Sequence, residues 1–95
     1  MYQALPSRLH VKDSPVAGQG IFALEEIPVG MVLGMSHIII DDVIYRTPLG
    51  GFINHSEKPN CHLIISQDWD DFIIYNVVTH KKILKDEEIL LDYEV

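Results

Sequence analysis

Ninety-five residues with 47% hydrophobic content suit one small domain with a modest core. Seven Lys+Arg against fourteen Asp+Glu give a formal charge of −7, which argues against a phosphate-backbone ligand and suits a cationic partner. One cysteine, Cys61, excludes an intramolecular disulfide and fits a reducing compartment, and no apolar run approaches the roughly 18 residues of a membrane span.

The N-terminal Met1-Tyr2-Gln3-Ala4-Leu5-Pro6 lacks the basic and apolar regions of a secretory signal, so a soluble intracellular protein is expected. Arg8 to Lys12 alternate polar and apolar residues and read as a half-buried strand, ended by Ser14-Pro15. Gly18 and Gly20 allow a tight turn into a second short strand, Ile21-Phe22-Ala23. After a turn at Glu25 to Gly30, Met31 to Met35 looks extended, and Ser36 to Tyr45 leans towards strand around one acidic pair. Thr47-Pro48 and Gly50-Gly51 bracket a short loop.

His62 to Ser66 and Phe72 to Val78 flank an acidic tip, Gln67 to Asp71, and form the clearest hairpin signal in the chain. Trp69 sits on that tip, either as an exposed anchor or, as slightly favoured, folded back onto the sheet. His80 to Asp86 turns the chain again, and Glu88 to Tyr93 makes a last strand. No window shows a 3.6-residue apolar stripe, so the expected fold is mainly β, with short strands, hairpins and little helix.

One internal echo is visible. Phe22-Ala23 to Ile27-Pro28-Val29-Gly30 lines up with Val78-Thr79 to Ile83-Leu84-Lys85-Asp86 at an offset of 56 residues. Gly30 and Asp86 fall at the same place, and both residue types tolerate left-handed backbone. Two similar strand-turn-strand pieces within one domain are expected.

Gly51 to Asn60 concentrates polar chemistry. Asn54-His55 follows apolar Phe52-Ile53, and Pro59 stiffens the turn that Asn60 closes. Taken alone, this is a polar turn whose Asn and His satisfy nearby backbone groups. Three stretches in order change that reading: Ala17-Gly18-Gln19-Gly20, then Phe52-Ile53-Asn54-His55-Ser56 with Pro59-Asn60, then Glu87-Glu88-Ile89 with Asp92-Tyr93. Together they resemble the SET-domain family of protein-lysine methyltransferases, over about residues 16–93 of a single domain spanning 1–95.

The resemblance implies a β-clip fold and S-adenosylmethionine as cofactor, bound by Gly18, Gln19, Gly20, Asn54 and His55. It also implies a catalytic tyrosine at Tyr93, whose uncharged hydroxyl would sit beside the transferring methyl group. Asn60 is assigned to loop stability. The implied partner is a lysine-bearing basic protein or peptide, without nucleic acid or membrane.

Glu57 stands where many relatives have cysteine, and Gly51 where many have arginine. The segment Ser36 to Gly50 is shorter than the usual insert, and only Glu94 and Val95 follow the tyrosine. A homodimer completing the site is one remedy for such losses. The alternatives are a catalytically inactive SET-like module that binds a basic peptide, and a β-rich assembly protein with a purely structural Asn-His loop. Cys61-His62 lacks a second ligand pair at zinc spacing, so no metal site is assigned.

Overall fold

The chain is described by a computed structural model over residues 8–92. Tyr93, and with it the end of the expected last strand, lies outside the described residues. The fold is mainly β, as expected: the described residues form eight strands and one five-residue helix in the order β1 (Leu9–Asp13), β2 (Gln19–Ala23), β3 (Val32–Ile40), β4 (Val43–Arg46), α1 (Pro48–Phe52), β5 (Asn54–His55), β6 (Cys61–Trp69), β7 (Phe72–Thr79) and β8 (Leu90–Leu91).

β1 and β2 pair antiparallel from Leu9↔Ala23 to Asp13↔Gln19. The other strands form one sheet in the order β4-β3-β7-β6-β8-β5. Several local expectations are corrected here. Val32 to Arg46 is one hairpin, β3–β4, because Asp41 and Asp42 both take positive φ (49° and 66°) and form a two-residue turn at the acidic pair.

The expected loop at Thr47 to Gly51 is helix α1. Thr47 Oγ1 accepts from Gly50 N–H at 3.2 Å, and Pro48 fills the first helical turn, where a missing N–H costs nothing. The β6–β7 strands run on to Trp69 and Phe72, so only Asp70-Asp71 turns, not Gln67 to Asp71. Trp69 does lie along the sheet, stacked on its cross-strand neighbour Phe72, yet 63% of it stays exposed. The last strand shrinks to Leu90–Leu91, preceded by an isolated bridge Phe22↔Glu88.

The internal echo becomes a local two-fold. Ile27 and Ile83 exchange both backbone hydrogen bonds, at 2.7 and 2.9 Å. Ala23 N–H donates to Glu87 C=O as Thr79 N–H donates to Met31 C=O, both at 3.0 Å. Gly30 N–H reaches Thr79 C=O as Asp86 N–H reaches Ala23 C=O, both at 2.8 Å. Gly30 and Asp86 indeed have φ of 81° and 70°. Each half therefore caps the backbone groups of the other, and Ile21, Ile27, Ile83, Ile89 and Leu91, all at most 1% exposed, fill the space between them.

β8 slots between β5 and β6, parallel to both, with Asn54↔Leu90, His55↔Leu91 and Cys61↔Leu91 in register. The turn from Ser56 to Asn60 therefore passes over the C-terminal strand. Parallel neighbours normally need a connection of a dozen or more residues. Here β5 has only two residues, so the chain has little distance to recover before β6 begins. Ser56 N–H and Asn60 N–H both donate to β8 carbonyls, Leu91 at 3.0 Å and Leu90 at 3.2 Å, which holds the turn on the strand it crosses. Among the described residues no helix is long and apolar enough to cross a membrane.

Candidate active site

The three sequence motifs converge on one amide nitrogen. Asn54 Nδ2 lies 3.2 Å from Ala17 C=O, 3.1 Å from Gln19 C=O and 2.8 Å from Glu88 Oε2. All three neighbours are acceptors, so the nitrogen and not the oxygen of the amide must face them. Ser14 Oγ lies 2.7 and 2.8 Å from the two oxygens of Glu88 and completes the cluster. Glu88 is the residue that motif matching left without a role, although its carboxylate ties Asn54 of the second motif to Ser14, just before the first.

This cluster explains Gly20 differently from Gly18. Gly20 is not in the turn; it is a buried position of β2. A Cβ there would collide with the Glu88 carboxylate and stand 2.9 Å from Asn54 Nδ2. Its missing side chain makes room for protein groups. Gly18, with φ of 45°, has open space where a Cβ would be, and Gln19 beside it is exposed. The Gly18 C=O accepts from Ser14 N–H at 2.8 Å, which closes the turn between β1 and β2.

His55 projects from the paired β5–β8 segment. Its Nδ1 lies 3.9 Å from Asp92 Oδ1, and both side chains are about two-fifths exposed, at 44% and 38%. Asn60 is committed to the protein: its Nδ2 donates to Glu88 C=O and its Oδ1 accepts from Leu90 N–H, each at 2.8 Å. One side-chain amide thus pairs with the last strand as a neighbouring strand would. The expectation that Asn60 serves loop stability agrees with this geometry.

A cavity of about 510 Å³ opens beside the motif cluster, lined by His37, Ile39, Arg46, Ile53, Leu63 and Tyr75 with the backbone of Gly50 and Gly51. Register explains its composition. His37↔Arg46 on β3–β4 and His37↔Tyr75 on β3–β7 are directly opposed, so they share one face of the sheet. The His37 ring stacks on Tyr75 with centroids 4.6 Å apart, and its Nδ1 lies 3.0 Å from Ser36 Oγ. Burial, with a smaller contribution from the Arg46 guanidinium, lowers the His37 pKa below the ordinary value, which favours a neutral imidazole. Sequence reading missed this cavity, because nothing in the spacing of His37, Arg46 and Tyr75 links three separate strands.

Cys61 is buried at 1% exposure, and burial pushes its thiol up to about 12, so it is not a nucleophile at neutral pH. His62 and His80 meet with Nδ1 atoms 3.3 Å apart, a contact the sequence did not reveal. Among the described residues no group of three or more His, Cys, Asp or Glu side chains is placed to hold a metal ion.

The family model described as SET domain matches residues 35–94. In fold, the chain is similar to a putative histone methyltransferase of Plasmodium falciparum, with a TM-score of 0.72 at 21% identity over 90% of this chain and 92% of that one. It is also similar to a chain of the Chaetomium thermophilum polycomb repressive complex 2, with a TM-score of 0.73 at 17% identity. That match covers 95% of this chain but only 16% of the other, so this protein spans a small part of that relative. A search of curated proteins finds no match. With its family model matched over residues 35–94 and its three motifs gathered around Asn54, the chain belongs to the SET-domain family.

Proposed function

We propose that this protein is a minimal S-adenosylmethionine-dependent protein-lysine methyltransferase. The observation that carries the reading is the convergence of Ala17, Gln19 and Glu88 on Asn54 Nδ2, all within 3.2 Å. Three segments far apart in sequence are held together there, and the held side presents Gly18, Gln19 and His55 to solvent. That surface fits a ligand bound through main-chain groups on one side and an imidazole on the other. S-Adenosylmethionine supplies an electrophilic methyl group on a sulfonium, which leaves as a thioether when a lysine nitrogen takes the methyl carbon.

In this reading Asn54 acts mainly by fixing the turn at Ala17 to Gln19, and His55 and the turn's backbone contact the cofactor. The acceptor lysine enters by the cavity whose Gly50 to Ile53 wall leads into Asn54. Ile39, Ile53 and Leu63 desolvate the amine there, which favours its neutral, nucleophilic form. Neutral His37 adds no charge that would raise the cost of entry. Tyr93 is assigned the hydroxyl beside the reacting centre, orienting the amine lone pair. A second copy of the chain supplies part of the groove wall.

A second reading, a module that binds a basic protein without turnover, is favoured by Asp41, Asp42, Asp70 and Asp71, which line a recess at the sheet tip. Calorimetric titration with S-adenosylmethionine, followed by mass-spectrometric detection of methyl transfer to lysine peptides, tests both. Saturable binding with methylation, and a Tyr93→Phe variant that binds cofactor but transfers slowly, supports the enzyme. Binding without transfer selects the module. No binding by the folded protein sinks the cofactor assignment. Asn54→Ala is a poor probe here, because it also releases the turn.

A further inference from the structure

We propose that β4 is the interface of a homodimer, in which two copies join edge to edge and continue one sheet through both. Apart from β5, a two-residue edge strand, the described sheet has two open flanks, and they differ. β6 pairs with β8 only at Cys61↔Leu91, which leaves its outer side open, but its ladder to β7 is broken by a register shift between Ile65 and Gln67. Such a bulge is a common guard against strand addition. β4 pairs with β3 without interruption from His37↔Arg46 to Ile40↔Val43. It has no proline, lysine or bulge, and all four of its residues, Val43, Ile44, Tyr45 and Arg46, are exposed. An exposed, regular edge that is apolar up to Arg46 is a template for another strand, provided that the charge finds a partner there.

The hydrogen-bonding phase decides which strand. Thr47 N–H donates to Ser36 C=O, so the backbone groups of Thr47 point towards β3. In an antiparallel ladder this alternates, which turns Tyr45 and Val43 inward and leaves the N–H and C=O of Arg46 and Ile44 facing out. A second β4, antiparallel and centred on Ile44, matches this phase. Ile44 then opposes Ile44 of the partner subunit, Val43 opposes the partner's Tyr45, and Arg46 opposes the partner's Asp42. By symmetry every pair occurs twice.

The result is a pair of β-branched–aromatic contacts on one face and a pair of opposite charges on the other, both favourable cross-strand arrangements. Centring on Tyr45 instead would keep the phase but set Arg46 against the partner's Ile44. The turn before β4 and the cation at its end are thus complementary to each other only in a second copy of the same strand. A basic substrate peptide at this edge would meet Arg46 with nothing to neutralise it.

The interface also bears on the cavity, since Arg46 is on its rim. A guanidinium there opposes entry of a lysine side chain, and the partner's Asp42 would offset it. That consequence rests on the proposed lysine route; the dimer does not.

Sedimentation velocity over a concentration series, without cofactor, tests the interface directly. The wild-type protein is expected to dimerise. Ile44→Lys sets two like charges at the centre and should raise the dissociation constant at least about tenfold. Arg46→Glu and Asp42→Lys should each weaken the dimer alone, because each sets like charges opposite. Mixed together, the two variants restore both opposite-charge pairs and should form a heterodimer. Circular dichroism on each variant checks that the fold persists, with Ile44→Lys the safer control because position 42 lies in the left-handed turn. A monomeric wild-type protein throughout the soluble range overturns the proposal, as does a dimer indifferent to all three substitutions. Tighter binding of a lysine peptide by monomeric protein than by dimer would assign this edge to substrate.

Discussion

The two ends of the molecule are built by opposite rules. At the base, short segments from both halves of the chain interlock: β2, the Ile27↔Ile83 bridge, the Ser56 to Asn60 turn and β8 contribute few residues each, and Ile21, Ala23, Ile27, Ile83, Ile89 and Leu91 there are at most 1% exposed. At the tip, β3–β4 and β6–β7 are long, regular hairpins, and Val43, Ile44, Tyr45, Ile65 and Trp69 are all at least half exposed. Strong strand patterning and deep burial therefore occur in different places. The base holds the motif cluster together, whereas the tip leaves apolar surface exposed.

The sharpest test of that contrast is a pair of truncations of one residue type. Ile27→Ala and Ile83→Ala, at 0% and 1% exposure, are each expected to cost about 2–5 kcal/mol in urea unfolding. Ile65→Ala, 52% exposed, is expected to cost under about 0.5 kcal/mol in the isolated chain. Equal losses at both ends would mean that the tip is covered in solution.

A smaller effect separates the site's architecture from its chemistry. Gly20→Ala forces a Cβ into the Glu88 carboxylate and Asn54, with an expected cost of about 1–3 kcal/mol and displacement of the Gly18 turn. If unfolding is unchanged, the Ser14–Glu88–Asn54 cluster is looser than its distances indicate.

The mildest prediction concerns the cavity between the two ends. His37 has a folded-state pKa below its ordinary 6.5, so the unfolded chain takes up this proton more readily. Stability associated with neutral His37 is therefore present above about pH 6.5 and is lost as the pH falls from there towards the lowered value. Urea midpoints of the wild-type protein should drop more on acidification through this window than those of His37→Gln. Parallel slopes would mean that His37 is as free to protonate as in the unfolded chain.

Much of the base was legible in the sequence for a local reason. Gly30 and Asp86 mark equivalent turns, and their similar φ values follow from what those residue types tolerate at low cost. The β6–β7 hairpin was legible in outline, because alternating β-branched residues around a polar break carry a period of two. Its turn was placed too wide, since Gln67 to Trp69 are polar or bulky yet pair in the ladder; propensity at an exposed tip does not penalise such residues. Helix α1 was missed because Gly50-Gly51 are poor helix formers, and the Thr47 cap together with packing against β3 outweighs that cost.

Of the candidate site, the sequence by itself determined which residue types stood ready: two glycines, an Asn-His pair and an acidic strand end, in an order that resembled one family. Only the tertiary structure decided what each one touches. Asn54 reaches across more than thirty residues to Ala17, Gln19 and Glu88, and Gly20 yields space to a carboxylate 68 positions away. His37, Arg46 and Tyr75 share a cavity because three strands set them on one face. Local preference acts over a few residues, whereas these contacts depend on sheet order and register, which are set when β8 enters between β5 and β6 and brings the distant motifs together.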